Sequence, residues 1–204
     1  MPVDPIKADI KPTYTAPTEP ASEPVTLRPA TAADAPALAL VGAATFLEAY
    51  TWMLPAADLI DFCANQHSTA AYAVYLAKPT TRITLAVTGQ DVPVGYAMLV
   101  APELPNFDVL PTDTELKRIY LFSRFRSAKT EVIGHPGVRT SQALLSATIE
   151  EARALGSKRL LLGTNDNNDR AKAFYNRNGF TIAGTRTFTV GSQVCSDLIF
   201  AKEL

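Results

Sequence analysis

An α/β domain, one mixed sheet with helices on its faces, is the fold class that this 204-residue chain predicts. Three observations point there. "KRLLLGT" (residues 158–164) is a continuous apolar run, as expected of a strand covered on both faces. "RTSQALLSATIEEARALG" (139–156) reads as a helix: Leu145, Ile149 and Ala152 form one stripe, and Gly156 follows its C-terminus. Between and around these, strand-like and helix-like segments succeed one another in a single order with no internal repeat.

Taken in order, residues 1–24 are rich in Pro, Thr and Ala and poor in large aliphatics, which predicts a flexible or draped arm before a domain over 25–204. "VTLRPAT" opens the domain as a short strand. "AADAPALALVGAATFLEAY" follows as a helix, with Leu40, Ala44 and Leu47 on one face. Residues 55–78 read as one or two further helices, closed by Pro79. "RITLAVTG" and "VPVGYAMLV" form a hairpin joined by "GQD", whose glycine suits a tight turn. After a Pro-rich connection over 101–113, "ELKRIYLFSRF" is a strand. "NNDRAKAFYNRNGF" (167–180) is a helix that starts from Asn and Asp and stops at Asn178-Gly179. "TIAGTRTFTV" and "QVCSDLIFAKEL" close the chain as a hairpin.

Composition narrows the function classes. A formal net charge of −1 offers no field for nucleic acid or an anionic membrane, and no basic–aromatic surface suggests nucleic acid. Cys63 and Cys195 lie too far apart for a metal-ligand spacing, so no metal and no disulfide framework is expected. The apolar stretch near residue 40 is bounded by Asp34 and interrupted by Glu48, which argues against a membrane span, and no secretory signal is visible. A cytoplasmic protein is the expectation.

From residue 25 onward the chain resembles the GNAT family of acetyl-CoA-dependent N-acetyltransferases, small-molecule and polyamine-type bacterial members above all. "TFLEAY", "ELKRIYLF" and "RALGSKRLLLGTNDNNDRAKAFYNRNGF" carry the resemblance; the last places Asn168, Ala171, Phe174-Tyr175 and Gly179-Phe180 at the family's spacing. The resemblance implies a GNAT-type, mostly antiparallel central sheet with helices on both faces, splayed between the fourth and fifth strands. It also implies acetyl-CoA as cofactor and a small-molecule or peptide amine as acceptor; a homodimer is left open. The N–H of Leu121 or Phe122 would meet the thioester carbonyl. Tyr175 would return a proton to the thiolate, and Asn168 would bond the cofactor arm, cap its helix, or both. Glu115 is the candidate base, though a solvated strand-end glutamate is the plainer reading; Lys117 occupies the next inward position. Phe46, Tyr50 and Trp52 are candidates for the acceptor pocket, with the core as their other destination.

The diphosphate loop departs from the family's Gln/Arg-x-x-Gly-x-Gly/Ala pattern. Arg126 can supply its first position, but about ten extra residues intervene before Gly137, Val138, Arg139, Thr140 and Ser141. Arg139 stands where a glycine normally lets the backbone approach phosphate. Either the helix start still binds the anion with Arg139 at its edge, or Arg139 fills the cradle. Arg124, Arg126 and Lys129 could add charge nearby; His135 reads as a turn residue and His67 as a surface one. The alternative function is a non-catalytic CoA- or ligand-binding sensor or interaction module of the same fold.

Overall fold

The computed structural model describes residues 23–126 and 130–204. Most of the arm expected over 1–24 lies outside the described residues, as does Lys129. The elements run β1 (Thr26–Pro29), α1 (Ala35–Tyr50), α2 (Ala56–Gln66), α3 (Thr69–Leu76), β2 (Arg82–Val87), β3 (Pro93–Val100), β4 (Asp113–Leu121), α4 (Thr140–Ala154), β5 (Arg159–Asn165), α5 (Asp169–Arg177), β6 (Thr181–Val190) and β7 (Gln193–Glu203). The strands form one seven-stranded sheet in the order β1-β2-β3-β4-β5-β7-β6. Every pairing is antiparallel except β4 with β5, where the chain crosses over through α4.

Side-chain alternation in β3 shows how the sheet is covered. Ala97 and Leu99 pack with Leu144, Leu145 and Ala152 of α4 and Tyr175 of α5. Tyr96, Met98 and Val100 pack with Leu38 and Val41 of α1 and Tyr72 of α3. Both faces are therefore buried, and each large aliphatic so placed contributes about 1.5–3 kcal/mol.

Helix α1 turns a different side inward from the Leu40–Ala44–Leu47 stripe. Its buried residues are Ala35, Leu38, Val41, Gly42, Thr45 and Phe46, whereas Leu40 is 69% and Leu47 41% exposed. Nearly all of α1 is apolar, so periodicity does not single out a face. With the preceding turn it is by length and composition apolar enough to cross a bilayer (Ala32–Tyr50), contrary to the sequence-based expectation, but here that span packs on a sheet. Gly42 has a steric reason: a Cβ there would meet Tyr72 Oη at 2.4 Å and His67 Nδ1 at 2.5 Å.

The β2–β3 turn uses Asp91, not Gly89, as its left-handed residue (φ 59°). Asp91 and Asp34 together receive the Arg28 guanidinium, with bonds of 2.8–3.0 Å, which ties the start of the sheet to the start of α1. One further irregularity shapes the site. Met98 opposes Arg118 but Leu99 opposes Leu116, so Lys117 is an extra residue in β4, a β-bulge.

Candidate active site

β4 and β5 pair only at residues 113–115 against 159–161, although both strands continue, to Leu121 and Asn165. Beyond Glu115 they diverge and leave a cleft of about 620 Å³. Phe122 donates its N–H to Val94 O at 3.0 Å, so that amide is committed to the β3 side. Successive strand amides point to opposite edges, which turns the Leu121 N–H toward the gap. Of the two expected carbonyl donors, the structure leaves Leu121.

Leu121, Arg126, Arg139, Ser141, Asn168 and Tyr175 all line this cleft. Arg126 is held there by its Nε, which donates to Leu121 O at 2.8 Å, and by Glu48 of α1 at 3.5 Å. Glu48 also accepts from the Ser123 N–H and Oγ, so α1 fixes the end of β4. Burial, together with the neighbouring Arg170, pushes the Arg126 guanidinium below its usual range. Arginines concentrated at one end of a cleft favour an anion there.

The loop before α4 sorts the other expected residues. Arg139 is the N-cap, in extended conformation (φ −68°, ψ 145°), and its side chain makes no capping bond. Gln142 and Ala143 return their amides to Arg139 O, while the Thr140 and Ser141 amides, first in the helix, have no backbone partner among the described residues. Arg139 is exposed and lines the cleft. Val138 is no donor, because its N–H goes to His135 O in a turn. Thr140 is fully buried and does not line the cleft, so of the expected loop residues Arg139 and Ser141 reach it. Gly137 supports the turn with φ +75°.

At the start of α5 the Asn168 Oδ1 accepts the Ala171 N–H at 3.0 Å as N-cap, and Asn168 also lines the cleft. Tyr175 is the seventh residue of α5, 8% exposed, packed against Phe174, Phe180 and Phe200. Burial, with Tyr120 nearby, raises its pKa well above the ordinary tyrosine value, and the hydroxyl keeps its proton throughout the neutral range.

A second cavity, of about 650 Å³, lies on the α1–α2 side of β4 and extends to β6 and β7. Phe46 and Tyr50 line it; Trp52 does not, being 69% exposed at the rim of the first cleft with its indole N–H on Ala49 O. Glu115 is no solvated strand end. It is 1% exposed, accepts the Glu103 N–H at 2.7 Å and lies 3.9 Å from Arg186. Lys117 pairs with Glu103. His67 is buried rather than on the surface, its Nδ1 2.9 Å from Tyr72 Oη, which donates to Tyr96 Oη at 2.7 Å.

Sequence reasoning missed three groups here. Asp197 of β7 is 6% exposed and receives Arg186 Nε and Nη2 at 3.2 Å each. Burial raises its pKa, and Arg186 opposes the shift without cancelling it. The third is Arg118 of β4, 7% exposed. Strict alternation from Glu115 selects Lys117, whereas the bulge brings Glu115 and Arg118 to the same cavity. Tyr50, Met53, Lys117, Arg118, Tyr120, Gly163, Thr164 and Asn165 line both cavities, so the two meet across one wall.

Residues 140–180 match the profile of the Acetyltransferase (GNAT) family. The chain is 33% identical over 171 residues to uncharacterized N-acetyltransferases of Mycobacterium tuberculosis and Mycobacterium bovis, covering 84% of this chain and 98% of each relative. Its fold is similar to the PaiA N-acetyltransferase of Thermoplasma acidophilum, solved in complex with coenzyme A. That pair has a TM-score of 0.66 at 17% identity, over 88% of this chain and 99% of the other. A GCN5-related N-acetyltransferase from Rhodopseudomonas palustris has a TM-score of 0.62 at 20% identity, over 90% and 98% of the two chains.

Proposed function

The chain belongs to the GNAT family of N-acetyltransferases, and from that premise we propose that it transfers an acetyl group from acetyl-CoA to the primary amine of a small molecule by direct attack on the thioester. The observation that carries this reading is the division of labour across the shared wall. Tyr175, which holds its proton, lines only the cleft, and Asp197, whose carboxyl is shifted toward neutral pH, lines only the second cavity.

The cleft fits the cofactor. Unpaired β4 backbone faces the gap for an amide-bearing arm, Asn168 lines the same channel, and the α4 start at Ser141 with Arg126 and Arg139 suits a diphosphate. When bound, acetyl-CoA supplies an acetyl group activated as a thioester. The Leu121 N–H is the donor for a carbonyl oxygen in the gap. A free primary amine near pKa ~10 is mostly protonated at pH 7, so the second cavity must take a proton. Asp197 is placed to accept it, and the buried arginines disfavour a second cation beside them. Glu115, bonded to the Glu103 amide and close to Arg186, positions that guanidinium and is not the reading's base. On the other side of the wall Tyr175 gives its proton to the departing thiolate.

The test is calorimetry with acetyl-CoA and CoA, followed by thiol release across a panel of small amines. Saturable binding with amine-dependent thiol release supports the reading. Binding without release on any amine would favour a non-catalytic binder of the same fold, and no binding would remove both.

A further inference from the structure

We propose that the acceptor carries a carboxylate as well as its amine, and that Arg118 is the residue that binds it. This rests on the acetyl-transfer reading above and names the substrate class of the same site. Arg118 is only 7% exposed, yet it lines the second cavity, in the wall shared with the cleft. Its Nη1 donates to Gln66 O at 3.1 Å, and its guanidinium lies over the Tyr72 and Tyr75 rings at 5.4 and 5.8 Å. None of these partners carries a negative charge. Burial raises the Tyr72 and Tyr96 hydroxyls above their ordinary pKa, so both are neutral phenols. Among the described residues no carboxylate lies within ion-pair distance of Arg118.

The other cations around this cavity differ. Lys117 is neutralised by Glu103, and Arg186 by Asp197 with Glu115 beyond it. A buried guanidinium keeps its charge at any physiological pH, and leaving it without a counter-ion in a low-dielectric site is costly. Its planar fork matches a carboxylate through two parallel bonds. The charge is felt locally: after burial itself, Arg118 is the group that depresses His67. Arg118 borders the cofactor cleft as well, but the groups that hold its guanidinium, Gln66, Tyr72 and Tyr75, do not line that cleft. Gln66, Tyr72 and Tyr75 belong to α2 and α3, whereas the arginines suited to a diphosphate gather at the start of α4. Asp197 and Arg118 thus give the cavity two unlike poles, one for an ammonium and one for a carboxylate.

The experiment uses amino carboxylates of increasing chain length, each paired with its methyl ester, as acceptors for the full-length protein. Wild type should show kcat/KM about 10- to 100-fold higher for the free acid at the best chain length, the scale of one charge-assisted bidentate contact. Arg118→Met should raise KM by a similar factor with kcat nearly unchanged and so erase the preference, while Arg118→Lys keeps part of it. Equal use of acids and esters by wild type overturns the assignment without touching acetyl transfer, and needs no variant to fold. A preference that survives in a folded Arg118→Met overturns it too. If no amine releases thiol, catalysis itself is refuted, and calorimetry of the same acids and esters against CoA-loaded protein decides the Arg118 question. Binding of acids only, lost in Arg118→Met, supports the assignment; no difference between acids and esters refutes it.

Discussion

At the scale of single residues, burial sets the chemistry of two rings. Tyr175 has lost water on every side but the cleft and so remains a proton donor near neutrality. Tyr175→Phe removes that proton and little packing. The expected outcome is a fall in kcat of roughly 10- to 1,000-fold with acetyl-CoA affinity nearly intact. An unchanged kcat with chemistry rate-limiting would take the hydroxyl out of the mechanism. His67 is the opposite case. Burial, then the Arg118 charge, lowers its pKa from 6.5 to about 3, so the folded chain refuses a proton that the unfolded chain accepts below about pH 6.5. Its contribution to stability is complete above that pH and is lost as pH falls toward 3. Thermal midpoints should drop between pH 6.5 and 4.5, by at most about 1.4 kcal/mol of stability per pH unit from this one group. His67→Gln should flatten the slope in that window, and an identical slope in the variant would assign it to other groups.

At the scale of elements, the strand ends carry the site, and a glycine shows how little space they leave. A Cβ on Gly163 of β5 would meet the Arg186 guanidinium at 2.4 Å. The far end of an arginine can move, so Gly163→Ala should fold with a midpoint close to wild type while pulling Arg186 off Asp197. Activity should fall, with the acid limb of the kcat/KM profile displaced, and an unshifted profile would show that the Arg186–Asp197 pair is not involved. The start of α4 supports a second expectation. Because Arg139 is exposed and makes no capping bond, Arg139→Gly should change CoA affinity less than about 5-fold, as an exposed charge does. CoA binding by the variant alone would reverse that view of the loop. The α4 stripe and the apolar run of β5 were readable because their periods are unmistakable. Neither the buried face of α1 nor the parity of β4 was, the first because the helix is apolar all round, the second because a one-residue bulge leaves no local signature.

At the scale of the whole molecule, the two halves of the site differed in legibility for the same physical reason. In the half proposed for the cofactor, Asn168 and Tyr175 lie on one short run and so stood out, although Leu121, Arg126, Arg139 and Ser141 reach the same cleft from the end of β4 and the start of α4. The acceptor half converges from Arg118 on β4, His67 after α2, Arg186 on β6 and Asp197 on β7, and only the sheet order brings these together. If Asp197 accepts the amine's proton, Asp197→Asn should lower kcat/KM by about 100- to 10,000-fold, within the range of general-base losses, and abolish its part of the acid limb. A near-normal rate would give the role to water or Glu115. The wall that the two cavities share, Arg118 included, has a further thermodynamic consequence. Whatever fills one cavity resets a boundary of the other, so the two ligands are linked, and linkage is reciprocal. The factor by which CoA changes affinity for an unreactive acceptor analogue must equal the factor by which the analogue changes affinity for CoA. Two calorimetric titrations, each against free and loaded protein, should return equal ratios different from one; ratios of one would mean that the shared wall transmits nothing.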